Sequence, residues 1–231
     1  MIPIPLVVVG VVAGAALARK FLSTPPMRKH AEARGGSFQE RSDELATTFT
    51  LPPFVDLPAP AAVLPAYRPV RVFDVAQFAT SGSQTMAMRV EVSDGSAEPP
   101  TYQVVALHTR QHLPRTMVRA GIDVYVLPGY EGMHRIRTPK RWVRGGILSI
   151  ISAEPDRAAD LPYDAISRGL AEDRMATFVA DGDWLYVFRP GAPATWRIAP
   201  MLVTLEQFAR AIENPPWPTG EGPPSYVYGQ V

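Results

Sequence analysis

The hydrophobic pattern divides the chain into an apolar opening, a strand-rich middle and a helical end. Residues 2–18 carry no charged side chain. From residue 70 onward, short apolar or alternating runs are separated by turn residues, which is typical of strands. Amphipathic helical spacing appears at 160–173 and again towards residue 214. The pattern predicts an α+β protein with one N-terminal transmembrane helix followed by a single, mainly antiparallel α+β domain.

The strand predictions rest on alternation and on turn residues. Residues 70–79 and 84–92 flank the turn sequence TSGS and predict a hairpin. Residues 101–109 and 121–129 predict two further strands, whereas residues 147–154 fit a strand or a helix equally well. Long crossover helices do not follow the strands in a repeating pattern, so a doubly wound parallel sheet is not expected.

Three local features are expected near the end of the chain. Asp181-Gly182 sits between two apolar runs, and this dipeptide favours a hairpin turn. Residues 194–199 predict a short strand. Thr204 is then expected to cap the N-terminus of a final helix, with Gln207 three positions later.

The opening segment is long enough to approach the thickness of a membrane. Seventeen uncharged helical residues, 2–18, span about 25 Å, against roughly 30 Å for a hydrocarbon core. Arg19 and Lys20 follow and can extend towards lipid headgroups. We therefore predict a transmembrane anchor over residues 1–22. A cleaved signal peptide is an alternative, although no Lys or Arg precedes the apolar run. A buried core helix is a further alternative, but such a helix normally has a polar face, which this segment lacks.

Flanking charge predicts the orientation of the anchor. Arg19, Lys20, Arg28 and Lys29 all follow the apolar run. The positive-inside rule then places the C-terminal domain in the cytoplasm, at the inner membrane. Gly10 and Gly14 have the small-xxx-small spacing of packed membrane helices, which allows a homodimer, although such glycines are also common in membrane helices.

Proline and glycine distribution predicts the remaining divisions. The chain has 25 prolines, concentrated in a few segments. A short helix is expected over 27–34, ended by Gly35 and Gly36. The predicted divisions are an anchor at 1–22, a juxtamembrane linker at 23–29, a cytosolic α+β domain at 30–214 with a Pro-rich connector at 51–69, and a flexible tail at 215–231.

Composition excludes several classes of function. The net charge is +1 over 231 residues, so no nucleic acid is expected as a partner. The chain has no cysteine, which excludes disulfides, thiolate metal sites and a cysteine nucleophile. It also lacks the G-x-S-x-G elbow, the P-loop and the dinucleotide-binding glycine motif.

No cofactor, metal site or catalytic residue is predicted. His108 and His112 are four residues apart, but they follow a predicted strand and have no glutamate between them. Asp181 and Asp183 are explained by the expected hairpin. An enzyme with a site scattered through the sequence remains an alternative, because active sites are assembled in space.

One basic patch is a candidate binding surface. Residues 134–146 contain basic side chains on both sides of an aromatic one. Such a patch suits membrane lipid of negative charge or an acidic protein partner; a solvated loop whose arginines pair with acids elsewhere is the structural alternative. The residues of the patch are Arg135, Arg137, Lys140, Arg141, Trp142 and Arg144.

The segments HAEARGGSFQERSDELATTFTLPPF, TYQVVALHTRQHLP and VADGDWLYVFRPG, in that order, resemble uncharacterised membrane-anchored proteins of high-GC actinobacteria or their phages. The resemblance implies one helix before one α+β domain and transfers no catalytic residue. We predict a single-pass, non-catalytic accessory or interaction protein that has a protein partner at the membrane. The alternatives are a membrane-bound hydrolase, or an exported cell-envelope binding domain if residues 1–18 are cleaved.

Overall fold

The protein folds as a mainly antiparallel sheet with helices, as the sequence predicts, and the helices pack against one face of that sheet. The computed structural model describes residues 26–48, 69–92, 99–120, 133–136, 148–191 and 194–213. The elements are α1 (Pro26–Glu32), β1 (Ser37–Arg41), a 3₁₀ turn (Leu45–Thr47), β2 (Pro69–Thr80), β3 (Ser83–Val92), β4 (Thr101–Ala120), β5 (His134–Ile136), β6 (Leu148–Ser152), α2 (Pro155–Ala159), α3 (Asp164–Glu172), β7 (Thr177–Pro190) and α4 (Thr195–Glu213).

Strand β4 organises the sheet, because it is long enough to pair with three others. Its first half, 101–107, pairs with β3, and its last part, 116–120, pairs with β6. Strand β7 pairs with β4 over residues 102–119. The order is β1-β2-β3-β4-β6-β5, with β7 added on β4. All described pairings are antiparallel.

Two strand predictions are resolved directly. The β2–β3 hairpin is confirmed: Thr80 pairs with Ser83, and the turn residues Ser81 and Gly82 have positive φ angles of 51° and 80°. The ambiguous segment at 147–154 contains β6, whose five residues are all buried. A fully buried strand shows no alternation, which explains why its pattern resembled that of a helix.

The hairpin expected at Asp181-Gly182 was wrong. Strand β7 runs straight through this dipeptide, and Gly182 pairs with Leu113 at an irregularity in the β4–β7 register. Gly182 has φ 58°, so it serves a bulge instead of a reversal. Strand β4 likewise continues beyond residue 109, the expected end, because β7 provides a partner along most of its length.

Helix α4 also differs from the prediction. Residues 194–199 do not form a strand, and Thr204 lies inside one helix that begins at Thr195. Pro200 removes one helical donor, and the Thr204 hydroxyl donates to the Pro200 carbonyl at 3.1 Å. Packing overrides the proline: five buried side chains follow helical spacing, namely Ile198, Met201, Leu202, Leu205 and Phe208.

All four helices contribute to the core on one face of the sheet. The rings of Phe178 on β7 and Phe208 on α4, both fully buried, pack edge-to-face with centroids 4.6 Å apart. The buried Tyr163 hydroxyl donates to the Ala158 carbonyl at 2.6 Å. The opposite face is also apolar and buried, with Val90 and Val104 at its centre; among the described residues, the 3₁₀ turn packs against it.

The start of the domain lies earlier than expected. Helix α1 begins at Pro26 and buries Met27 in the core, so residues 26–29 belong to the domain and not to a linker. Gly35 has φ 65° and the Gly36 amide donates to the Ala31 carbonyl at 2.9 Å, which confirms the predicted helix end.

None of the helices in the described ranges is long and apolar enough to cross a membrane. Several predictions concern residues outside the described ranges, so they stay predictions. They are the anchor at 1–22 with Gly10, Gly14, Arg19 and Lys20, the connector up to residue 68, the strand at 121–129 and the tail at 215–231.

Candidate functional site

A cavity of about 570 Å³ lies between α3, α4 and the second half of β7. Its size falls within the range of roughly 300–1,000 Å³ that is common for ligand sites. Leu170, Ala176, Val187 and Met201 contribute buried apolar side chains to it. The cavity is therefore an apolar recess on the helical side of the sheet.

Gly169 allows α3 and α4 to meet beside this cavity. A Cβ atom at Gly169 would collide with the Thr204 side chain, so any larger residue would force the two helices apart. Both residues line the cavity. The shape of the recess thus depends on the absence of a side chain at one position of α3.

Two polar contacts fix the ends of the helices around the cavity. The side-chain amide of the buried Gln103 both donates to the Ala194 carbonyl and accepts from the Ala194 amide, each at 3.2 Å, which holds the start of α4 against β4. The Arg189 Nε donates to Asp173 at 2.6 Å and holds the end of α3 against β7. This ion pair is partly buried, so water screens it less than it screens surface pairs.

Exposed apolar side chains gather at the rim of this cavity. Trp196 is 71% exposed, Val203 49% and Met175 44%; they are the large hydrophobic residues that stand out as exposed in the described part of the chain. Trp196 and Val203 line the cavity, and Met175 directly precedes the lining residue Ala176. Apolar groups exposed together beside a recess are typical of a binding surface.

The lining also contains arginines that have no ion-pair partner among the described residues. Arg168 and Arg197 line the cavity and form no ion pair within the described part of the chain. The Arg197 guanidinium lies 4.6 Å from the centroid of the Trp196 ring, and its Nε is buried without a hydrogen-bond partner. An unsatisfied buried donor costs about 1–3 kcal/mol. The positive charges of Arg168 and Arg197 in the lining favour an occupant that carries negative charge.

A second, smaller cavity of about 240 Å³ lies near the turn between α2 and α3. Its cation, Arg157, is already engaged: it donates to Glu154 at 2.7 Å and to the His112 carbonyl at 3.0 Å. Burial raises the pKa of Asp160, and the neighbouring Asp156 raises it further. Because Arg157 already has internal partners, this cavity is the weaker candidate.

The two histidines singled out in the sequence do not meet. The ring of His108 packs edge-on against Trp184 with centroids 5.0 Å apart. His112 Nδ1 lies 3.2 Å from Asp183, with side chains 75% and 57% exposed. Within the described residues, no group of three His, Asp or Glu side chains could hold a metal ion. The prediction that the protein has no metal site stays a prediction.

The basic patch is represented in the described part of the chain by Arg135, a half-exposed residue of β5. Arg137, Lys140, Arg141, Trp142 and Arg144 lie outside the described residues.

Sequence analysis missed the α3–α4 cavity altogether. Trp196 and Arg197 were instead expected in a short strand at 194–199. The helical spacing of Ile198, Met201 and Leu205 was the available signal. The exposure of Trp196, by contrast, follows only from the packed structure.

The arrangement of strands and helices places the chain in the same fold as a bacterial transport factor. Neither protein-family models nor curated proteins match the sequence. A solved structure of the mycobacterial trehalose monomycolate transport factor A, TtfA, superimposes with a TM-score of 0.53. The two share 15% identity, and the match covers 84% of this chain and 96% of that chain. The fold is therefore shared with an actinobacterial protein, which agrees with the source of the resemblance seen in the sequence.

Proposed function

We propose that this protein is a single-pass, membrane-anchored accessory protein that acts without catalysis, by binding a protein partner at the membrane. The observation that carries the proposal is the cavity between α3 and α4, with its exposed apolar rim formed by Trp196 and Val203. The fold shared with a transport factor supports an accessory role.

The membrane anchor is part of this proposal. Its support is the uncharged run at 2–18 followed by Arg19 and Lys20, which predicts an anchor at 1–22 and a cytosolic domain. In this account, the Gly10–Gly14 spacing allows two anchors to pack against each other in a homodimer. The proposed topology puts Ser225 on the cytoplasmic side of the membrane.

Labelling of a single cysteine tests the anchor and its orientation. The natural chain has no cysteine, so Ser225→Cys provides one reactive thiol in the tail. We expect the full chain in intact cells to remain unlabelled by a membrane-impermeant maleimide and to become labelled after lysis. Labelling of intact cells, or a mature chain that begins at Arg19, would contradict the proposed topology.

The basic patch from Arg135 to Arg144 is proposed as a second contact, with anionic lipid. Each Lys or Arg near an anionic leaflet contributes about 1 kcal/mol, and the Debye length of about 8 Å at physiological salt limits the effect to close contact. The chain from residue 26 onward should therefore bind anionic vesicles weakly and lose this binding in high salt.

A matched variant makes that test specific. Replacement of Arg137, Lys140, Arg141 and Arg144 by Ser should abolish the sedimentation of the domain with anionic vesicles, while its thermal unfolding stays unchanged. Equal sedimentation with neutral vesicles, or no loss in the variant, would rule out the lipid contact and leave an acidic protein as the partner of this patch.

A further inference from the structure

We propose that the occupant of the α3–α4 cavity is an acidic amphipathic helix of the partner protein, with apolar side chains in the recess and carboxylates against Arg168 and Arg197. The inference rests on the proposed function, because it assigns the chemistry of the segment that the accessory domain binds.

The apolar side chains of the proposed helix are inferred from the residues that line the cavity. Leu170, Val187 and Met201 form a buried apolar floor, whereas Trp196 and Val203 are largely exposed above it. A helix that inserts apolar side chains at i, i+3 and i+4 covers both the floor and the rim. Exposed tryptophan and arginine are also the side chains most enriched at the energetic centres of protein interfaces.

The acidic character of the proposed helix follows from lining arginines that have no ion-pair partner within the described ranges. Three arginines line the cavity, and one of them, Arg189, is neutralised by Asp173 at 2.6 Å. Arg168 is exposed, and neither Arg168 nor Arg197 has an ion-pair partner in the described ranges. Glu172 is the other acid in the lining, so one positive charge remains in excess.

Arg197 favours a carboxylate in particular. Its guanidinium is held over the Trp196 ring at 4.6 Å, and its Nε donor is buried without a partner. A planar guanidinium with its orientation fixed in advance binds a carboxylate through two parallel hydrogen bonds. A single acidic side chain on the bound helix can therefore neutralise the positive charge of Arg197.

The openness of the recess favours a protein segment over a lipid chain. Sites for small apolar molecules bury most of the ligand, whereas the apolar rim here, with Trp196 71% exposed, remains open to solvent. A helix laid across α3 and α4 covers this rim from outside. A lipid, the tail at 215–231 and a second copy of the chain are the competing occupants that the experiment separates.

Site-specific photocrosslinking of the full chain in its native cells tests the inference. A benzoylphenylalanine is placed at Val203, which lines the cavity and leaves the Trp196–Arg197 pair intact. The control carries the same group at Arg110, which is exposed on β4 and outside the cavity. We expect an adduct at Val203 alone, on a peptide of another membrane protein that has Asp or Glu within one helical turn of an apolar residue.

Charge variants then test the role of the two arginines. The double change Arg168→Glu and Arg197→Glu should lower the adduct yield at least tenfold, whereas Arg168→Lys with Arg197→Lys should retain much of it because the charge is kept. Thermal unfolding of each full-length variant shows whether the domain remains folded. An undiminished adduct in a folded Glu variant would overturn the inference.

The identity of the adduct distinguishes the remaining outcomes. An adduct on lipid, on the tail at 215–231, on a second copy or on a basic segment would overturn the acidic helix as the occupant. If the full chain still retains a membrane protein in any of these cases, the accessory role stands and only the assigned occupant fails. If no membrane protein is retained at all, the proposed function fails with it.

Discussion

Replacing Phe208 by Ala is expected to destabilise the domain by about 3–5 kcal/mol, the usual cost of truncating a buried phenylalanine. Phe208 is fully buried on α4, and its ring contacts that of Phe178 on β7. The change leaves a hole between the helices and the sheet. Because a typical domain has only about 5–15 kcal/mol of stability, much of the margin would be lost. Denaturant unfolding of the full chain, followed by circular dichroism, measures the loss.

Trp196→Ala is the matched control for this prediction. Trp196 lies on the same helix but is 71% exposed, and its described ring contact is with Arg197. We expect the free energy of unfolding to change by less than about 1 kcal/mol, the value of an exposed cation–π pair. Equal destabilisation by the two changes would show that Trp196 supports the fold. Its exposure would then no longer indicate that the cavity is a binding surface.

Phe208 and Trp196 lie on the same helix but differ in burial, and only the burial of Phe208 could be predicted from the sequence. Phe208 falls on an apolar helical stripe with Leu205, so the burial of that face was predictable from spacing alone. The hairpin of β2 and β3 was predictable for a similar reason, because the turn residues stand between two clear apolar runs.

The errors arose where distant packing decided the local structure. Gly182 has the local signal of a hairpin turn, yet β4 continues far enough to hold β7 in one piece. Pro200 has the signal of a helix boundary, yet Met201 and Leu202 are buried in the same helix that contains it. Such choices depend on contacts between segments far apart in the chain, which no local pattern contains.

The candidate site was not predictable for the same reason. Its parts come from α3, α4 and β7, and Gly169 matters only because Thr204 packs against it. The Gln103 side chain that holds the start of α4 is 91 positions away from its partner Ala194. The basic patch, by comparison, is contiguous and was easily found, and its role remains a proposal.

The second large effect concerns binding to the partner. Trp196→Ser in the full chain should weaken retention of the membrane partner by at least about 2 kcal/mol, or roughly thirtyfold, as expected for a tryptophan at the centre of an interface. Arg210→Ser is the control, because Arg210 is an exposed residue of the same helix that lies outside the cavity lining. Both variants should unfold close to the wild-type temperature.

Quantitative affinity purification from native membranes is therefore the most direct test of the account. The account predicts that the wild type and Arg210→Ser retain the same membrane protein, identified by mass spectrometry, and that Trp196→Ser loses it while remaining folded and membrane-bound. Retention by all three chains, or the absence of any membrane protein that depends on Trp196, would contradict the claim that the α3–α4 cavity is the partner-binding surface of an accessory protein.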